Sequence, residues 1–415
     1  MKICVLTHTF PRSANDVSGS VSSAFMKELS DGLVQAGNEV IVVTPFDQDF
    51  KRQGDIFKIV TYKYIWPDSL HLLGYSRTMQ ADVSLKITAF LLLPFMFTSA
   101  FITLLRTVIR EKVDVINAHW ILPNGLIALF VSLLTGVPYV ITLPGSDVYI
   151  ARRFKIFGLV AGIVARFAAG ITSNSAFLLN KILKMAPAGK LSEVIVYPVD
   201  ISSFKPSDSG VGSLRKKMGL TNNDFVALAV GRMVYKKGFE YLIKATALIT
   251  GKYKNLHLVL IGGGDLYQKL VDLAARLNVS EKVHFVGNIP RDKIGAYYNL
   301  ADVFVAPSVV DAKGNVDGGP TVSYESMACG KVQIATDVLG VADFIKDGEN
   351  GFVIPEKDEK ALALAIERVI KDKGLTRKAE VINRGIAVTE LGTKRIGERY
   401  TVFFEKALSG YTGEG

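Results

Sequence analysis

Two carboxylates eight positions apart, Asp317 and Glu325, flank a Gly-Gly-Pro in GNVDGGPTVSYESMACGK (314–331). Pro320 suits the first turn of a helix, where its missing N–H costs nothing, and Gly330 suits the left-handed stop after one. The spacing predicts a helix from Pro320 to Cys329. Gly318 and Gly319 would then leave bare N–H groups at its positive end, a ready anion site. Glu325 falls in the second turn. If the helix packs on Val322 and Met327, Glu325 faces the same cleft and could accept hydrogen bonds from two ribose hydroxyls. Asp317 could bind sugar hydroxyls or only cap the helix. Upstream, GRMVYKKG (231–238) ends a strand at Gly231 and sets Arg232 and Lys237 five apart in a loop that opens a helix. A guanidinium and an ammonium there would clamp a pyrophosphate, each charge-assisted hydrogen bond contributing about 1.5–3 kcal/mol. A solvated basic loop is the plainer alternative. GGGDLYQKL (262–270) puts Gly263 in a run where backbone can approach a ligand closely. It lacks the third spaced glycine of a dinucleotide fingerprint, and no GxxxxGK[ST] occurs anywhere, so a tight turn explains it equally well.

The first half carries a second set. THTFPRSANDVSGSVSS follows the first strand, and Gly19 between two serines could let a phosphate approach a helix start. NAHW (117–120) puts His119 at a strand end, and TLPGSDVY (142–149) does the same for Ser146 and Asp147. A lone strand-end histidine is usually structural, but several strand ends converging on one cleft favour a site. Asp47 and Asp49 form a DxD that could bind a metal, with no His or third carboxylate near in sequence.

The elements that position these residues read as two βαβ series. Strands are predicted at 2–7, 39–44, 59–64, 114–119, 139–142, 170–175 and 194–198, with a helix over 20–36 closed by Gly37. A polar, aperiodic stretch, VDISSFKPSDSG (199–210), reads as a linker. The pattern restarts with strands at 225–230, 256–262, 283–287, 302–308 and 331–336, and with helices over 239–250 and 266–277. The fold class is therefore α/β, two Rossmann-like parallel-sheet domains, 1–198 and 211–392. A helical stretch within 385–408 is expected to pack residues 393–415 back on the first domain. Such sheets bind ligands beyond the carboxyl ends of their strands, and two of them facing each other would share a cleft.

The chain has 415 residues, 49% hydrophobic and 21% charged, enough for large cores and too little biased for disorder. Its net charge of +10 favours anionic partners. The excess reads as spread over both halves without a dense Lys/Arg tract, which argues against nucleic acid. Cys4 and Cys329 sit among apolar or small residues and read as buried thiols of a reducing compartment, the cytoplasm or the cytoplasmic face of a membrane. Ile87–Leu105 is uncharged over 19 residues, long enough to span a bilayer. Flanking strands of one sheet argue against a span, and Pro94 predicts two shorter helices. These are expected in the core, with part of them in the membrane interface.

Together these motifs resemble the retaining glycosyltransferases of family 4, with the two-domain GT-B fold. The likeness covers nearly the whole chain. It rests on the ordered set of the glycine loop after strand one, HW, GSD, GR…KG, IGGG, FVG…Y…ADVFVAPS and D-G-x-P…E…ACG. It implies that the second domain binds a nucleotide-diphosphate sugar and the first an acceptor. It implies no metal, because Arg232, Lys237 and helix-end amides would neutralise the leaving diphosphate. Carried over by position, Glu325 would bind ribose, Asp317 with Gly318 and Gly319 the sugar and phosphate, Arg291 the base, and Gly19 the β-phosphate. Asp317 stands where the family usually has Glu, Pro144 where it often has His, and Tyr197-Pro198 where Asn-Gly is common. His119 is the nearest polar substitute for that histidine. The expected activity is transfer of a hexose or N-acetylhexosamine to a lipid-linked or polysaccharide acceptor, with peripheral membrane contact through the first domain. A sugar-nucleotide epimerase or hydrolase, or a catalytically idle sugar-nucleotide-binding subunit, are the alternatives.

Overall fold

The computed structural model describes residues 1–12, 23–52, 54–73, 79–81, 84–85, 87–145, 155–312 and 314–412. The chain forms two compact units, Met1–Pro198 with Thr393–Gly415, and Val199–Gly392.

In the first unit the short apolar runs become strands, the central ones buried on both faces, as parallel strands covered by helices must be, and the two edge strands partly exposed. They are β1 (Lys2–Leu6), β2 (Glu39–Pro45), β3 (Lys58–Tyr62), β6 (Val115–His119), β7 (Tyr139–Leu143), β8 (Gly170–Ser173) and β9 (Ser192–Val194). A separate antiparallel pair, β4 (Met79–Ala81) and β5 (Ser84–Leu85), precedes β6. The main sheet runs β3-β2-β1-β6-β7-β8-β9, all parallel, with Ile3 opposite both Val40 and Val115. The order reverses between β1 and β6. The strand expected at 194–198 is instead β9, which ends at Val194. The helices are α1 (Ala24–Gln35), α2 (Ile87–Glu111), α3 (Leu126–Thr135), α4 (Lys155–Phe167) and α5 (Ala176–Leu183).

Residues 87–111 form one helix rather than the expected pair. Pro94 stands inside it, where its missing N–H forfeits a single backbone bond. The helix is not a core helix either. Met96, Ala100, Leu104 and Val108, spaced by four, are buried against the sheet. Leu91, Phe95, Ile102 and Ile109 form the opposite stripe and are exposed. Leu91–Glu111 is long and apolar enough to cross a membrane. However, β3 before it and β6 after it are parallel strands of one sheet, which a span would separate.

The second unit has a six-stranded parallel sheet of β10 (Phe225–Val230), β11 (Leu256–Ile261), β12 (Val283–Gly287), β13 (Val303–Ala306), β14 (Val332–Thr336) and β15 (Gly351–Ile354). Its order is β12-β11-β10-β13-β14-β15, reversing between β10 and β13. Around it lie α6 (Val211–Lys217), α7 (Phe239–Thr250), α8 (Tyr267–Arg276), α9 (Arg291–Leu300), α10 (Thr321–Ala328), α11 (Glu359–Lys371) and α12 (Lys373–Ile386). Residues 199–204 are not a free linker. Val199 donates its N–H to Leu391 O (2.9 Å), Phe204 is buried, and Arg384 donates to the carbonyls of Ile201 and Phe204.

The last helix, α13 (Thr393–Thr412), returns to the first unit and packs on α1. The crossing is at two glycines. A Cβ on Gly397 would stand 2.0 Å from Gly32 O, and one on Gly32 2.3 Å from Thr393 O. Two backbones can come that close only without side chains. Cys4 and Cys329 are buried and unpaired, as expected.

Candidate functional site

Parallel α/β sheets bind ligands where the strand order reverses, beyond the carboxyl ends. In the second unit that point lies between β10 and β13. The loop after β10 carries Gly231, Arg232 and Lys237, and it is clamped to its neighbours by backbone contact. Gly231 donates to Ile261 O (2.9 Å), Met233 to Gly263 O (2.7 Å) and Val309 to Lys236 O (2.9 Å). Gly238 has φ +66, and a Cβ there would fall 1.8 Å from Pro307 O, just past β13. Only glycine fits, so the loop bearing Lys237 is pinned directly to the end of β13. In the glycine run after β11 the tight positions are Gly262 and Gly264. A Cβ on Gly263 would meet nothing nearer than Asn288 at 3.7 Å, so Gly263 is not the point of closest approach.

Lys237 lies over Gly231 and forms an ion pair with Asp317, both side chains being mostly buried. Burial alone would raise the Asp317 pKa. Lys237, Lys236 and Arg232 more than reverse this, and the carboxyl titrates below its ordinary value. Asp317 is thus fixed as an anion, with Arg232 exposed beside it. Gly318 and Gly319 are buried just before α10, and neither N–H has a hydrogen-bond partner among the described residues. Lys237, Arg232 and two bare amides therefore gather at the reversal point, around a carboxylate that one of the cations already holds.

Glu325 is placed differently from expectation. It does not face open solvent: its side chain is 3% exposed. Arg291 Nη1 donates to one oxygen and Tyr298 Oη to the other, each at 2.6 Å. Arg291 also lies over the Phe204 ring, 4.9 Å from its centroid. The whole run from Ser323 to Ala328 is buried, so this short helix has no solvent face for Glu325 to use. A ligand would meet the guanidinium of Arg291 before it met Glu325.

In the first unit the reversal lies between β1 and β6. His119, at the end of β6, is fully buried. Its Nε2 meets Asn117 Oδ1 (2.8 Å) and its Nδ1 meets Tyr197 Oη (3.2 Å). Burial pushes its pKa down to about 3, so the ring is neutral. That corrects the expectation of a polar group for substrate: His119 is a structural member of the core. The groups that do reach the reversal point are His8, after β1, and Trp120, after β6. Their rings lie 4.0 Å apart, both partly exposed, with Phe25 beyond Trp120. Trp120 holds φ +68, a conformation that side chains rarely adopt and that tends to mark functional sites. Sequence reasoning missed His8, although it stands two residues past a clear strand. The DxD is also accounted for: Asp47 is buried, and Arg12 Nη1 lies 3.8 Å from Asp47 and 3.6 Å from Asp49. Among the described residues no cluster of His, Cys, Asp and Glu could hold a metal ion. Gly19, Ser146 and Asp147 lie outside the described residues.

Two family descriptions match the chain in tandem: "Glycosyltransferase Family 4" over residues 22–203 and "Glycosyl transferases group 1" over residues 212–386. The chain belongs to the family 4 glycosyltransferases. The transferase is 26% identical over 384 residues to an uncharacterized glycosyltransferase of Methanocaldococcus jannaschii, covering 90% of each chain. It is 25% identical over 360 residues to the alpha-monoglucosyldiacylglycerol synthase of Acholeplasma laidlawii, covering 83% of each. Its fold is that of HepE from Anabaena, solved with UDP-glucose: TM-score 0.72 over 98% of this chain and 99% of that one, at 20% identity. The seven- and six-stranded parallel sheets are thus the two domains of the GT-B fold expected from the motifs.

Proposed function

We propose that the transferase moves a hexose or N-acetylhexosamine from a nucleotide-diphosphate sugar to a lipid-linked or polysaccharide acceptor, with retention at the anomeric carbon. The observation that carries this reading is the pinned Lys237, held by Asp317 at the strand-order reversal beside Arg232 and the bare amides of Gly318 and Gly319. A diphosphate placed there meets two cations and the positive end of α10. The same groups stabilise the charge that develops as the glycosidic bond to it breaks. No metal is needed in this reading. Asp317, already ionised, is left to accept hydrogen bonds from the sugar hydroxyls. Its side chain is one methylene shorter than the usual Glu and would set sugar preference. The Arg291–Glu325 pair takes the ribose end, with Arg291 outermost. Retention fits front-face attack, the leaving phosphate accepting the proton of the acceptor hydroxyl. His8 and Trp120 are the acceptor-side groups: an aromatic face suits a sugar ring and an imidazole suits a hydroxyl. A lipid-linked acceptor is supported by the relative that glucosylates a diacylglycerol lipid and by the exposed apolar helices of the first unit.

Arg232→Ala and Lys237→Ala should each abolish most transfer while leaving the fold intact. Near-normal rates in both would sink the donor site. A thermal-shift screen over nucleotide sugars identifies the donor, since ligand at a hundred times its dissociation constant stabilises by about 2.7 kcal/mol.

A further inference from the structure

The helices α2, α3 and α4 lie side by side on one face of the first sheet. Their outer surfaces are apolar. To the α2 stripe of Leu91, Phe95, Ile102 and Ile109 are added Leu133 and Leu134 on α3, each 66% exposed. On α4, Ile156, Leu159, Ile163 and Phe167 recur at helical spacing and are all exposed. Soluble proteins rarely leave three adjacent helices apolar outward, and such a patch marks a docking surface.

Charge selects the occupant. Residues 83–192 hold eleven Lys and Arg against three Asp and Glu, which is +8 of the chain's +10. The positive excess is therefore concentrated in the segment of sequence that carries these helices rather than spread over both halves. From Val148 to Ser192 there is no acidic residue at all. Arg106 and Arg110 on α2 and Arg166 at the end of α4 are exposed, with no ion-pair partner among the described residues. An open groove of about 690 Å³ runs along the margin of this face, between β3 and α2. Arg106 lines it together with Lys63, which also pairs with Asp68 at 2.7 Å. A second copy of the same face would bring like charges together.

We propose that the α2–α3–α4 face docks on an anionic phospholipid bilayer. The apolar side chains enter the acyl boundary, and the arginines and the Lys63–Arg106 groove meet lipid phosphates. This rests on exposure and charge and goes beyond the donor reading.

Flotation of the full chain tests it, with vesicles of phosphatidylcholine alone and with roughly one-third phosphatidylglycerol, at about 0.1 M and about 0.5 M salt. The protein should float with the anionic vesicles at low salt, and high salt should weaken binding about tenfold. Leu159→Asp with Ile163→Asp should weaken it at least about tenfold, with an unchanged circular dichroism spectrum. Arg106→Glu with Arg110→Glu, which touches no packed side chain, should remove much of the salt dependence. The proposal is overturned if the wild-type chain ignores anionic vesicles at low salt, or if both variants bind like it. It is also overturned if light scattering finds a dimer that Leu159→Asp with Ile163→Asp dissociates. Thermal shift by nucleoside diphosphates on the same samples keeps the two readings apart. Nucleotide protection without flotation sinks the docking face alone, and flotation without protection sinks the donor site alone.

Discussion

Replacing Arg291 by methionine would strand the Glu325 carboxylate. That side chain is 3% exposed and its two oxygens meet Arg291 and Tyr298 at 2.6 Å. Removing one partner of a fully buried ion pair costs about 3–5 kcal/mol, much of it the charge left behind. The Arg291 side chain is 25% exposed, so water reaches it and the lower end applies, about 3 kcal/mol at neutral pH. For a unit the size of 199–392 that is a fall of about 6–12 °C in melting temperature. Tyr298→Phe removes one hydrogen bond to a charged group and should cost less, about 1.5–3 kcal/mol. Calorimetry of the full chain measures both losses. Both tryptophans, Trp66 and Trp120, lie in the first unit, so fluorescence melting is an internal control that should not move. If Arg291→Met costs less than Tyr298→Phe, Glu325 is solvated and the buried triad is wrong.

Gly238→Ala should lower both stability and transfer, because αL geometry costs about 1–2 kcal/mol even before the clash with Pro307 O, and the shift displaces Lys237. Matched rate and melting measurements would show a rate loss exceeding the stability loss, and an unaltered rate would contradict the pinned loop. Gly397→Leu should undock α13 from α1, lowering the tryptophan-reported melt and exposing residues 393–412 to protease; an unchanged melt would contradict the crossing. Burial holds His119 neutral with its pKa down at about 3, so the unfolded chain binds the proton first. Stability of the first unit should therefore be lost as pH falls from about 6.5 toward 3. His119→Gln should flatten that slope in fluorescence melts, and an equal slope would place the titration elsewhere, with His8 next to examine.

Much of the fold was legible because parallel strands buried on both faces read as unbroken apolar runs, as FVALAV and LHLVLIG do. Pro320 and Gly330 marked the ends of α10, and Gly330 indeed takes φ +76. The strand β15 escaped, since four residues beginning with a glycine leave little pattern, and α11 and α12 were not anticipated. Within the site, the basic loop and the glycine pair could be read from spacing, because a loop after a strand has one place to go. The environment of Glu325 could not. SYESMA looks half polar, yet every residue of it is buried, and the two Glu325 oxygens are met by Arg291 and Tyr298, on a different helix. His119 and His8 show the same limit: both stand at strand ends, and only the packing of Tyr197 and Trp120 decides which is enclosed.

The return of α13 to the first unit has a consequence for biosynthesis. Residues 199–392 are one unbroken stretch and can fold as they leave the ribosome. The first unit cannot, because the helix that covers Gly32 is made only after residues 199–392. At roughly 5–20 residues per second, some 10–40 s pass between synthesis of residue 198 and arrival of α13. During that interval the side of α1 that α13 covers waits exposed, in a unit whose α2, α3 and α4 are apolar outward in the finished fold. The nascent first unit is thus the stage at which a chaperone, or the membrane itself, would meet this chain.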